Sequence, residues 1–182
     1  MDARPSTVFA SSMGDLFHED VPADFVARAF ATMDAAHRHT FQVLTERSGR
    51  LAALAPDLPW PGNVWAGVSV EAADYVHRID DPRSVPAAVR FLSLELLLGP
   101  LPKRNLTGID WVIVGGESGP GARPVDPDWV REIRDQCLSA GVPFFFKHWG
   151  GTRKKAAGRL LDGRVWDAMP SARSQAGVAA AI

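Results

Sequence analysis

Six times along the chain a short run of β-favouring apolar residues ends in a small or charged polar group, and most of these ends lead into a helical stretch. The runs are Thr7–Ala10 before Ser11-Ser12, Phe41–Leu44 before Thr45-Glu46-Arg47, and Val64–Val68 before Ser69-Val70-Glu71. They continue with Val89–Leu92 before Ser93-Leu94-Glu95, Trp111–Val114 before Gly115-Gly116-Glu117, and Phe144–Phe146 before Lys147-His148-Trp149. Strand starts lie roughly 20–35 residues apart, the span of a strand, a crossover and their loops. Such alternation predicts an α/β fold with parallel strands, and the right-handed crossover rule leaves an open doubly wound sheet or a barrel. An open sheet would concentrate polar strand ends at one switch point. Here all six strands carry them, so the expected architecture is a partial TIM-type β/α barrel of about six βα units. All six polar ends then share one rim, where such folds bind and react.

The connecting segments fit this plan. Val26, Ala29, Phe30, Met33 and His37 recur at helical spacing, with Pro22 and Asp24 at the helix start. A short helix is expected around Arg50–Leu54, closed by Pro56, Pro59 and Pro61. Asn63–Val70 reads as a strand buried on both faces. Ala72–Ile79 reads as helical and Asp80–Pro86 as a loop. Asp126-Pro127 forms a cap followed by proline at the first helical position, with Trp129, Ile133 and Cys137 on one face and Gly141 at the end. Val142–Phe146 is the last expected strand. Residues 1–170 thus form one barrel domain, and 171–182 are expected to be a disordered tail.

Composition narrows the setting. The 20 basic and 21 acidic residues nearly cancel, so no nucleic-acid or acidic-membrane partner is advertised. No apolar run approaches the roughly 20 residues that span a bilayer, and the N-terminus lacks a signal-peptide pattern. A single cysteine, Cys137, excludes an internal disulfide and fits a reducing cytoplasm.

Several groups at the strand ends could carry chemistry. In Gly115–Gly121 the glycines could let backbone N–H groups approach an anion or cofactor, with Arg123 beside them; they could equally serve a turn with positive φ. Glu71, Glu95 and Glu117 end three successive strands and would converge. Converging carboxylates bind a cation, hydrogen-bond a hydroxyl or amino ligand, or titrate as acid and base. Alternatively each pairs with a cation such as Arg47 or Lys147. Asp15, His18, Glu19 and Asp20 resemble part of a metal site without its usual spacing. Cys137 reads as a core residue, and Trp60, Trp65, Trp111 and Trp149 as packing rather than a base-stacking platform.

The segments Ser12–Pro22, Thr40–Thr45, Asn63–Glu71, Arg90–Glu95, Trp111–Pro124 and Phe144–Gly150 resemble an uncharacterised phage and prophage family. The resemblance runs from about Thr7 to Pro170. That family is similar to radical S-adenosylmethionine enzymes, with a partial barrel preceded by a three-cysteine segment that would hold an iron–sulfur cluster. The present chain starts after such a segment and lacks those cysteines. It also carries Glu46-Arg47-Ser48 where the family has Lys-Arg-Pro, Leu96 where proline is usual, and His148 where glutamine is common. The resemblance implies a rim that binds S-adenosylmethionine or a nucleoside through Ser12, Asp15, Thr45, Arg47, Ser69, Glu71, Ser93, Glu95, Gly115, Gly116, Glu117 and Lys147. Ser12 and Asp15 would lie nearest the missing cluster, Ser69 and Glu71 would suit ribose or amino groups, and Gly115–Glu117 would suit adenine or a close backbone approach. No catalytic group is assigned. Two alternatives stay open: a non-catalytic phage-encoded module that self-associates or pairs with a partner through an exposed sheet edge, and a metal-dependent barrel hydrolase using Asp15, His18 and the glutamates.

Overall fold

The computed structural model describes residues 4–10, 14–152 and 157–171. Six strands, β1 (Thr7–Ala10), β2 (Thr40–Thr45), β3 (Val64–Ser69), β4 (Arg90–Glu95), β5 (Trp111–Gly115) and β6 (Phe144–His148), form one sheet. Every neighbouring pair is parallel, and the order across the sheet is the order along the chain. The sheet curls into a half-barrel in a mixed α/β fold.

Period-two alternation assigns each strand residue to a face. Val43, Val64, Ala66, Val68, Leu92, Leu94, Val112, Val114, Phe144 and Phe146 belong to the large core on the convex side. Val26, Phe30 and Met33 of α1 (Ala23–Ala35), Leu51 of α2 (Ser48–Leu54) and Val130, Ile133 and Cys137 of α3 (Pro127–Ala140) cover them. Trp65, Phe91, Trp111 and Ile113 form a smaller cluster on the concave side, joined by Leu44 and Phe145. Full burial of such side chains contributes about 2–3 kcal/mol each. Gly67 makes this filling possible, because a Cβ there would lie 2.2 Å from the Phe91 ring that crosses it.

Helices start and stop where the sequence says, with exceptions. The Asp126 side chain accepts a hydrogen bond from the Asp128 N–H, and Gly141 ends α3 with φ 67°. Helix α1 stops at Ala35, so His37 lies beyond it and is exposed. The buried stripe of α3 is Val130, Ile133 and Cys137, with Trp129 only partly buried. Ala73–Ile79 and Asp81–Ser84 are 3-10 turns. No helix joins β4 to β5 among the described residues, so the βα unit is not repeated six times. Strand β6 begins two residues later than expected and includes Lys147 and His148.

The sheet edges differ. Beside β6, the Phe146 N–H donates to the Trp166 carbonyl and Phe145 bridges Asp167 antiparallel. The hairpin of β7 (Leu160–Leu161) and β8 (Arg164–Val165) precedes this segment, and its Asp162 takes ion pairs from Arg131 and Arg134 of α3. Strand β1 pairs only with β2, leaving its other edge open among the described residues, with Val8 and Phe9 37% and 44% exposed. No helix among the described residues is long and apolar enough to cross a membrane. The expected tail falls almost wholly on 172–182, outside the described residues.

Candidate functional site

The β1–α1 loop is stitched to the end of β2 through Asp15. Its carboxylate accepts from the Phe17 N–H (2.9 Å), the Thr45 hydroxyl (2.8 Å) and the Glu46 N–H (3.1 Å), and Arg47 approaches it at 3.5 Å. Arg47 also donates through Nε to Glu19 at 3.1 Å, and the Glu19 carboxyl is held below its usual range by its own backbone hydrogen bond and then by this one. Arg50 of α2 donates to the carbonyls of His18 and Val21, fixing the far side of the loop.

This stitching leaves a cavity of about 320 Å³ lined by Phe9, Gly14, Asp15, Leu44, Thr45, Glu46, Arg47 and Ser69. Four of the expected site residues, Asp15, Thr45, Arg47 and Ser69, therefore meet in one space. Ser12 lies outside the described residues. Ser69 and Ser93 face each other across β3 and β4 at 6% and 5% exposure, and neither hydroxyl bonds to a described residue. Gln42 is 8% exposed and its amide is likewise unpartnered among the described residues. The sequence reading missed Gln42. Its one signal is a polar side chain at an inward-facing position of an otherwise apolar run.

Among the described residues the three glutamates form no group placed to hold a metal ion, and each has a cation beside it. Arg78 pairs with Glu71 at 3.4 Å, yet burial raises the Glu71 pKa, with Glu46 adding to the rise. Glu95 crosses β5, where Gly115 has no side chain to block it, and meets Lys147 at 2.7 Å and His148 at 3.4 Å. A bulge between β5 and β6 aims Lys147 at this contact, since Val114 pairs with Phe146 and Gly115 with His148. Arg123 donates to Glu117 through its backbone N–H (3.0 Å) and its guanidinium (2.8 Å), and that bonding lowers the Glu117 pKa.

The glycine loop also has a structural task. A Cβ on Gly116 would lie 2.1 Å from the Trp149 carbonyl oxygen, and one on Gly150 would lie 2.1 Å from that of Glu117. The Gly151 N–H donates to Glu117 and the Gly119 N–H to Gly151. Two backbones thus press together at Gly116, on the side where a side chain would stand.

Among the described residues no group of three or more His, Cys, Asp or Glu side chains is placed to hold a metal ion. His18 lies near Glu19 and Asp20 in an exposed loop, at 3.6 and 3.5 Å. Cys137 is fully buried on α3, and burial pushes its thiol up to about 12. One protonated thiol in the convex core does not fit an iron–sulfur cluster, which needs several thiolates.

A second cavity, of about 1210 Å³, lies at the opposite end of β5 and β6, between Leu101–Asp110, the end of α3 and Pro143. It touches none of the strand-end residues. Arg104 lies there with Nε and Nη1 unbonded among the described residues; both atoms are sealed from solvent and do not open onto the cavity.

A family model described as "Protein of unknown function (DUF5131)" matches residues 2–170. No curated protein and no solved structure matches the chain.

Proposed function

This chain belongs to the DUF5131 family, and from that premise we propose that the cavity between the ends of β1, β2 and β3 holds a small polar ligand, a nucleoside or S-adenosylmethionine. One observation carries the reading: Asp15, Thr45, Arg47 and Ser69, which come from three separate parts of the chain, line one space of about 320 Å³. Small-molecule sites occupy about 300–1,000 Å³ and combine an apolar lining with a few fixed polar groups. Phe9 and Leu44 supply the lining here.

The residues divide the work by their existing bonds. Asp15 already accepts from several donors and positions the loop. Arg47 commits Nε and Nη1 and keeps Nη2 for a ligand carboxylate or phosphate. Ser69 offers an unbonded hydroxyl. Glu71, with its raised pKa, stands near the rim as an acceptor for an amino or hydroxyl group. When bound, S-adenosylmethionine supplies a sulfonium whose carbon–sulfur bonds are activated for cleavage. The chain's own thiol does not fit the iron–sulfur cluster of radical chemistry. On the same reading the half-barrel is part of a TIM-type β/α barrel, related to phage proteins and to radical S-adenosylmethionine enzymes, and the protein works in the cytoplasm.

Calorimetric titration with S-adenosylmethionine and with adenosine tests it. Saturable binding is expected, weakened tenfold or more by Arg47→Gln and unchanged by Glu117→Ala, whose side chain is held by Arg123 outside the cavity. No heat with either ligand, or equal heat in Arg47→Gln, would sink the reading.

A second reading, a non-catalytic module that pairs with another copy of this chain, is favoured by the open β1 edge with exposed Val8 and Phe9. Light scattering decides it: a dimer that Val8→Lys dissociates supports pairing, and a monomer at all concentrations removes it.

A further inference from the structure

Gln42 is the one amide on the concave face of β2. Its register partner on β1 is Phe9 and its neighbour on the same face is Leu44, and both line the 320 Å³ cavity. More than nine-tenths of Gln42 is buried, and its amide finds no partner among the described residues. The amide atoms themselves are not sealed from solvent, so they stay open to a molecule in the adjoining space. No bond to a described residue explains the side chain. A planar amide offers an acceptor and two donors side by side, which match the edge of a ring bearing adjacent acceptor and donor atoms. Phe9, 44% exposed, provides a flat face against which such a ring can stack. The charged groups, Asp15, Glu46 and Arg47, all lie towards the strand ends, so the deeper part of the cavity suits an uncharged group.

From this juxtaposition we infer that Gln42 reads the hydrogen-bonding edge of a flat, uncharged heterocycle of the nucleobase type, stacked on Phe9 in the cavity of β1–β3. The inference rests on the proposed ligand cavity and adds which end of the ligand enters it. It also moves the base away from Gly115–Glu117, where two backbones meet.

The test titrates the full chain with adenine, guanine, cytosine and uracil, each also as its nucleoside, and with S-adenosylmethionine. At least one base binds the unaltered protein, Gln42→Leu weakens it tenfold or more, and Phe9→Ala weakens it severalfold. Gln42→Leu keeps or raises the melting temperature, as expected if the amide has no structural partner. Gln42→Glu, of the same shape but without the donors, changes which base is preferred. Two results overturn the inference: base binding unaltered by both Gln42 substitutions, or a sharp fall in melting temperature in both. If S-adenosylmethionine binding depends on Arg47 but not on Gln42, the inference fails and the cavity reading stands. If no ligand binds, both fail.

Discussion

The two halves of the rim carry similar polar residues and use them differently. Between β4 and β6 nearly every group is taken: Glu95 by Lys147 and His148, Glu117 by Arg123, and Gly116 and Gly150 by the crossing of two backbones. Between β1 and β3 a loop is pinned from outside by Asp15 and Arg50, and the space behind it keeps the Ser69 hydroxyl and one Arg47 nitrogen unbonded. Exposed ion pairs such as Glu95–Lys147 contribute at most about 1 kcal/mol, so the closed half depends mainly on its backbone contacts. A strand-end carboxylate is thus poor evidence of a site. A polar group beside a cavity that bonds to nothing in the protein and still reaches solvent is better evidence, because it stays open to a ligand.

The contrast can be broken at several points. The largest effect is expected for Gly150→Ala, which forces a side chain at φ 80° into the Glu117 carbonyl and costs about 3 kcal/mol in urea unfolding. Asp15→Ala, on the open half, removes charge-assisted bonds to Thr45 and two backbone amides and costs about 2 kcal/mol. A loss as large as that of Gly150→Ala would mean that the two halves are equally interlocked.

Next comes pH, where the halves are expected to move in opposite directions. Glu117 has a lowered pKa in the fold, so its contribution is full above the ordinary glutamate value, about 4.3, and fades as pH falls through the folded value. Glu71 has a raised pKa, so its ionisation weakens the fold as pH rises from the ordinary value through the raised one. Denaturation of Glu117→Gln and Glu71→Gln across that range checks both signs; the first variant loses its deficit in acid and the second gains on the parent as pH rises. The smallest effect is expected for Ser93→Ala, within about 0.5 kcal/mol, since its hydroxyl has no described partner to lose.

The architecture was readable because its signals are local. Short runs of β-favouring apolar residues located all six strands, and Asp126-Pro127 with Gly141 bounded α3 almost to the residue. Where the register of a partner sets the answer, the reading failed. Strand β6 extends to His148 because a bulge against β5 keeps it paired, which nothing in Phe144–Trp149 announces. Of the expected site residues, Asp15, Thr45, Arg47 and Ser69 share a cavity. Glu71, Glu95 and Glu117 were expected to converge because they end adjacent strands. Their actual partners, Arg78, Lys147 and Arg123, lie 7, 52 and 6 residues away, and only the fold shows which cation each one meets. Gln42 escaped notice for the converse reason: one polar residue in a strand is unremarkable until its neighbours are known to leave it unbonded.

The identity between sheet order and chain order has a consequence for how the protein assembles. No strand has to be inserted between two that are already paired, so the sheet can grow by adding each new strand to the edge the last one left. Every ladder closes a loop of similar length, and loop-closure entropy changes only slowly with length. No single docking step is then singled out as the entropic bottleneck. Folding can begin at any one pair and spread towards both edges, with β1 and β6 the natural places for it to finish.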